Sequence, residues 1–126
     1  MPESNKKGPG SVIWRDLTVS NAGEISRFYS EVVGWRAEPV SMGNYNDYNM
    51  VSDSGEVQAG ICHTAGTNIN LPDQWLIYLT VKNIGHSVDR CLHLGGKVID
   101  GPRKMGENDF CVIQDPAGAY AALITE

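Results

Sequence analysis

The sequence predicts an α+β fold: two βαβββ modules in a pseudo-twofold arrangement, forming a curved mixed β-sheet cleft. Three observations predict it. The segments LTVSNAG (17–23) and LTVKNIG (79–85) are nearly the same, and matches continue at one ungapped offset of 62. Leu17 meets Leu79, Thr18 meets Thr80, Val19 meets Val81, Asn21 meets Asn83, Gly23 meets Gly85, Gly34 meets Gly96 and Asp53 meets Asp115. In each copy the apolar pattern changes from alternation to helical spacing at the same place, and each helical stretch is followed by short strands with turn signals. Matches spread over nearly half of a 126-residue chain point to internal duplication, and two copies that fill the chain make a paired domain, not a solenoid.

The elements follow in order. Residues 1–11, MPESNKKGPGS, are polar and rich in Pro and Gly, and are expected to be a disordered tail. The domain is 12–126, with a first module at 12–63, a linker at 64–74 and a second module at 75–126. The stretch 12–19, VIWRDLTV, alternates as a strand does. Asn21 offers an N-cap with Glu24 three residues on, as in a capping box. Ile25, Phe28, Tyr29, Val32 and Val33 form one helical stripe, and Gly34 supplies the stop. DSG (53–55) marks a turn between later strands. The polar TAGTNINLPDQ (64–74) separates the copies. In the second copy WLIYLTV (75–81) is the strand, Asn83 the cap, and Ile84, Val88, Cys91 and Leu92 the stripe; Gly95 and Gly96 end it, and DPAG (115–118) is the matching turn.

Composition sets the class. The chain is 41% hydrophobic and 20% charged, with a net charge of −5, which argues against nucleic acid and anionic membranes as partners. No apolar run approaches a membrane span and no signal-like stretch opens the sequence. Cys62, Cys91 and Cys111 are odd in number and lack metal-type spacing. A cytoplasmic protein with reduced thiols is the expectation.

Alternation assigns the faces. Ile13, Leu17 and Val19, with Trp75, Ile77, Leu79 and Val81, are expected on the helix side, because the helices must bury their stripes. Arg15 falls on that side too and is expected to carry its head to water at an edge. Trp14, Asp16 and Thr18, with Leu76, Tyr78 and Thr80, then line the concave side. His63, His86 and His93 are expected at the surface.

The segments WRDLTVSNAGEISRFYSEVVGW, AGICH, WLIYLTVKN, LGGKV and VIQDPAGAYAAL resemble the vicinal oxygen chelate superfamily, which includes glyoxalase I, bleomycin-resistance proteins, methylmalonyl-CoA epimerase and extradiol dioxygenases. The resemblance covers about residues 12–125 and is similar in kind to short glyoxalase-like proteins. It implies the paired βαβββ fold, and a homodimer. The superfamily's metal enzymes hold a divalent cation with four side chains, two per module, that are His, Gln or Glu. Carried over place by place, the resemblance puts those positions at Trp14, Gly60, Leu76 and Ala122. None of these residues can hold a metal. A shift of one residue gives Arg15, Ile61, Ile77 and Leu123; a shift of two gives Asp16, Cys62, Tyr78 and Ile124. Neither set suits a hard divalent cation, so no metal and no cofactor are expected.

What remains is an aromatic-lined cleft for a small, aromatic or apolar molecule, as in bleomycin-resistance members. The candidate ligand-binding residues are Trp14, Thr18, Tyr45, Tyr48, Gln58, Cys62, Leu76, Thr80 and Tyr120. The candidate catalytic pair is Asp16 as base and Tyr78 as hydrogen-bond donor. The alternative function is a divergent lyase or isomerase, or a dioxygenase-like enzyme, using Asp16 and Tyr78 or an atypical metal site through Asp16 and His63. The plain reading of the pair is that Asp16 and Tyr78 only satisfy buried polar groups.

Overall fold

The computed structural model describes residues 8–126. Among these residues there are eight strands and two α-helices: β1 (Val12–Val19), α1 (Ala22–Val33), β2 (Arg36–Ser41), β3 (Asn46–Val51), β4 (Val57–His63), β5 (Trp75–Thr80), α2 (Ile84–His93), β6 (Lys97–Met105), β7 (Asn108–Gln114) and β8 (Tyr120–Ile124). This is a mixed α+β fold of two βαβββ modules. The chain divides into two compact units, one of Arg15–Trp75 and one of Leu76–Glu126 together with the chain up to Trp14. The strand order is β2-β3-β4-β1 in the first unit and β5-β8-β7-β6 in the second. Each has one parallel pair, β1 with β4 and β5 with β8, and antiparallel pairs elsewhere. Parallel neighbours need a crossover, and α1 and α2 begin those crossovers.

The duplication is visible in the register. Asp16 pairs with Gly60, Leu17 with Ile61 and Thr18 with Cys62. Moving each partner on by the repeat offset gives Tyr78 with Ala122, Leu79 with Leu123 and Thr80 with Ile124, the pairs observed. Two of the expected matches need correction. In the first turn the Ser52 amide bonds the Glu56 carbonyl and Gly55 bonds Ser52; in the second, Asp115 bonds Ala119 and Gly118 bonds Asp115. Asp115 is therefore the counterpart of Ser52, not of Asp53. The frame recovers at a bulge: Met50 pairs with Ala59 and Val51 with Val57, so Gln58 is an extra residue in β4. Likewise Gly34 (φ 87°) corresponds to Gly95 (φ 95°), not to Gly96, because α2 is shorter than α1.

In the first unit α1 packs on the sheet face that carries Leu17, Met50 and Ile61. Val19, Ile25, Tyr29, Trp35, Ala37, Tyr48 and Trp75 pack around that core. The expected stripe is only partly buried. Ala22 and Ser26 are buried, Ile25 and Tyr29 half-buried, but Phe28 (53% exposed) and Val32 (64%) lie on the flank. The helix turns the small residues at 22 and 26 inward, so its buried arc is rotated from the apolar one. Trp75 also departs from expectation. It packs in the first unit, with its ring edge-on to Tyr29 at 5.4 Å and its indole N–H donating to the Tyr29 hydroxyl at 3.0 Å.

In the second unit the buried side of β5 is Leu76, Tyr78 and Thr80, while Ile77 is 45% exposed. The set expected to line an open surface is core, and one member of the expected core is not. The sequence alternates apolar residues on both faces here, so alternation alone could not rank them. Of the expected tail, residues 1–7 lie outside the described residues, and residues 8–11 are held. The Gly10 amide bonds the Thr80 carbonyl at 2.7 Å and the Thr80 amide bonds the Ser11 carbonyl at 2.9 Å.

The two helix starts differ in one instructive way. Asn83 caps α2, its side chain accepting from the His86 amide at 2.9 Å. Asn21 makes no such cap; its side-chain amide donates to Glu24 at 3.2 Å instead. Replacing Asn83 by Ala should cost about 1 kcal/mol of unfolding free energy, in the range for a lost N-cap, and Asn21→Ala markedly less. Urea denaturation of the two variants checks this.

Candidate functional site

On the first unit's sheet, the face opposite α1 carries a polar row. Glu38 pairs with Asn49, Asn49 with Gly60, and Gly60 with Asp16. In a pleated sheet residues in register share a face, so this row crosses all four strands. The next row up contains Val40 paired with Asp47, and Cys62 paired with Thr18. Gly60, which has no side chain, is buried between Asp16 and Asn49 in this row.

Cys62 and Asp47 are linked. Burial raises the Cys62 thiol well above its ordinary pKa; the charges of Asp16 and Asp47 and a hydrogen bond to Asp47 raise it further. The thiol is thus kept protonated and is a poor nucleophile. Asp47 also organises the end of β4: its Oδ1 accepts the His63 amide at 2.9 Å and lies 3.4 Å from His63 Nδ1. That ring nitrogen is buried and has no hydrogen bond of good geometry. The Tyr45 ring stands edge-on to the imidazole at 5.3 Å. His63, expected at the surface, is instead half-buried in this cluster.

The corresponding rows of the second unit differ in character. Tyr78 pairs with Ala122, Ala122 with Val112, and Val112 with Asp100; Ile124 pairs with Thr80 and Phe110, and Phe110 with Arg103. Tyr78, Ala122, Val112, Phe110 and Thr80 are all buried. Tyr78 lies against Phe110 at 5.6 Å between centroids, and the Arg103 guanidinium covers Phe110 at 4.8 Å. Asp100 holds that guanidinium at 2.9 Å and 3.0 Å. On the opposite face burial pushes the Cys111 thiol up to about 11, with Cys91 and Asp100 adding to the effect.

The sequence-derived residues therefore separate. Asp16, Thr18 and Cys62 share the first unit's polar face, and Tyr45 reaches it through His63. Tyr48 does not: it pairs with Ile61 and Pro39, on the side of α1. A Cβ built on Gly23 of α1 would meet its hydroxyl at 3.3 Å. Gln58 is the bulged residue, and its amide donates to the Ser52 hydroxyl at 3.1 Å. In the second unit Leu76, Tyr78 and Thr80 share the buried face, Tyr120 is half-buried beside Gln114, and Trp14 is half-buried. The Thr80 hydroxyl is engaged by Gly8 and Ser11. Asp47 and Asn49 were missed. Their signal was available in NDYNMV (46–51), where polar residues alternate with Tyr48 and Met50.

The places that the resemblance assigns to the superfamily's metal ligands hold Trp14, Gly60, Leu76 and Ala122, none of which has a side-chain donor for a divalent cation. Among the described residues no three His, Cys, Asp or Glu side chains are grouped as a metal site. The metal does not fit this donor set.

The family model described as "Glyoxalase-like domain" matches residues 14–124. The chain belongs to the glyoxalase-like domain family. No curated protein matches it by sequence. Among solved structures it is similar to a glyoxalase/bleomycin resistance protein/dioxygenase superfamily member from Vibrio splendidus 12B01, with TM-score 0.56, 11% identity, and coverage of 92% of this chain and 100% of that one. It is also similar to a single-residue variant of Streptomyces coelicolor methylmalonyl-CoA epimerase in complex with 2-nitronate-propionyl-CoA, with TM-score 0.54, 10% identity, and coverage of 94% and 99%. At such identities the likeness is one of fold, and that fold is the vicinal oxygen chelate superfamily's. Among the described residues no helix is long and apolar enough to cross a membrane.

If Asp47 suppresses the Cys62 thiolate as its placement indicates, Asp47→Asn should lower the Cys62 pKa and speed its alkylation severalfold at fixed pH. The pH dependence of iodoacetamide labelling at Cys62, read by mass spectrometry, checks this.

Proposed function

We propose that the protein binds a small molecule with an aromatic or apolar body, without the divalent metal used by the superfamily's metal enzymes. The observation that carries this reading is the residue set Trp14, Gly60, Leu76 and Ala122 at the metal-ligand places. The first unit supplies polar groups suited to orienting a ligand: the Asp16 carboxylate, the Asn49 amide and the Thr18 hydroxyl, on one face of its sheet. Trp14 supplies a flat apolar surface. A few polar groups beside apolar walls is the usual make-up of a small-molecule site. The known complexes of structural relatives with small molecules agree with this class of partner but do not identify the ligand. Within the same proposal the protein is a cytoplasmic homodimer with reduced thiols.

The second reading is proton transfer. It rests on Asp16, which is half-buried on β1 and close enough to influence Cys62. In that case Asp16 is the base of a metal-free lyase or isomerase, with Tyr78 as donor. Binding alone is preferred because Tyr78 is fully packed against Phe110.

Native mass spectrometry and elemental analysis of the protein as purified test the proposal. The expected result is a retained small organic molecule, lost in Trp14→Ala, with no stoichiometric transition metal. A stoichiometric divalent metal that disappears in Asp16→Ala overturns it. Turnover of the retained molecule that Asp16→Asn abolishes, with affinity intact, selects the enzyme.

A further inference from the structure

The two copies keep the same threonine in the same place and treat it differently. Thr18 pairs with Cys62 and Thr80 with Ile124, at corresponding positions of the two parallel pairs. Both residues are 2% exposed. In the second unit the Thr80 hydroxyl is engaged on both sides. Its oxygen accepts the Ser11 amide at 3.0 Å, and its proton goes to the Gly8 carbonyl. The Ser11 amide and the Gly8 carbonyl are themselves 3.2 Å apart across a turn, so one hydroxyl meets a donor and an acceptor side by side.

In the first unit that segment has no equivalent partner. The repeat offset carries Gly10 to Pro72, which has no amide proton, and Ser11 to Asp73. The chain there bonds locally, the Leu71 amide to the Asn68 carbonyl at 3.2 Å and the Gln74 amide to the Pro72 carbonyl at 2.8 Å. Cys62, across from Thr18, gives its hydrogen bond to Asp47. Among the described residues the Thr18 hydroxyl has no hydrogen-bond partner. Among the same residues the buried atoms that are both unpartnered and sealed from solvent are His63 Nδ1 and the Thr64 hydroxyl, so the Thr18 oxygen keeps contact with solvent. Thr18 is thus a buried side chain with an unused donor and acceptor, on the face that carries Asp16.

The second copy shows what satisfies such a group: an N–H and a C=O side by side. A trans secondary amide points the two in opposite directions, whereas a primary carboxamide or a lactam presents them along one edge. We propose that Thr18 selects the ligand of the proposed small-molecule site, a step that rests on that reading, and that the ligand is a ring bearing a primary carboxamide or a lactam. The Thr18 hydroxyl donates to the carbonyl oxygen and accepts the adjacent N–H, as Thr80 does with Gly8 and Ser11. The neighbouring charges favour a neutral amide over a carboxylate. Asp16 and Asp47 both act on Cys62, beside Thr18, and a ligand carboxylate there meets charges of its own sign.

Titration of ¹⁵N-labelled protein with benzamide, N,N-dimethylbenzamide and benzoate, followed by amide shifts, tests this. The expected result is saturable benzamide shifts centred on Asp16, Thr18 and Cys62. The dimethyl compound, which has no N–H, and benzoate should each bind about tenfold more weakly. Thr18→Val should weaken benzamide about tenfold and leave the dimethyl compound nearly unchanged, while Thr18→Ser retains binding. Thr18→Val removes a hydroxyl without a partner and keeps the side-chain shape, so its urea midpoint should match the parent's, which separates lost binding from lost folding. Benzamide that binds Thr18→Val as tightly as the parent, or dimethylbenzamide that binds as tightly as benzamide, overturns the inference and leaves the small-molecule reading standing. The absence of saturable benzamide shifts on that face also overturns it, and the molecule retained on purification then decides that reading by itself.

Discussion

The parallel pairing of β1 with β4, and of β5 with β8, is the constraint on which the rest depends. Each pair joins the first and last strands of a copy, with a helix and two strands between them in sequence. Side chains alternate along a strand, so a slip of one residue in either pair would send every side chain to the opposite face. The observed register puts Asp16, Gly60 and Asn49 in one row and Leu17, Ile61 and Tyr48 in the next. One row faces away from α1 and the other packs beneath it. The polar face and the helix-side core are both consequences of that one choice of partners.

Keeping the register while changing the residues let the copies diverge. In the first copy the row reads Asp16, Gly60, Asn49, Glu38; in the second it reads Tyr78, Ala122, Val112, Asp100. The second row is buried and apolar but for its ends, and burying such side chains is the main favourable term in folding. The first row keeps carboxylates and an amide, which gain little from burial. Arg103 over Phe110, tied by Asp100, closes the second copy's face with a paired charge, so no unmatched one is left inside.

Much of the fold was legible because the signals were local and repeated. The strand-to-helix switch after Thr18 and Thr80, the cap at Asn83 and the stop at Gly34 are each set by a few neighbouring residues. The parallel register followed the repeat offset. What failed was of another kind. Asp53 and Asp115 are identical but not equivalent, because the extra residue at Gln58 shifts the frame, and one coincident aspartate cannot reveal a bulge. The buried face of β5 was not legible because Leu76, Ile77, Tyr78 and Leu79 are apolar on both sides, so only tertiary packing decides. Of the candidate site, Asp16, Thr18 and Cys62 came together as alternation requires. Tyr48 did not, because the alternation within NYNDYNM sets it beside Met50 on the helix side and leaves Asp47 and Asn49 on the polar one. Residues 8–11 looked like a tail because docking on Thr80 uses backbone groups, which composition does not record.

The acids on the first unit's open face also fix what its thiol can do. A thiolate at Cys62 would sit beside Asp16 and Asp47 in a partly buried place, where like charges are poorly screened. The neutral thiol is therefore the stable form, and Cys62 adds a small uncharged surface between carboxylates. Around Cys62 this face carries the carboxylates of Asp16 and Asp47 and the amide of Asn49. Such a surface favours molecules that bring hydrogen-bond donors or partial positive charge.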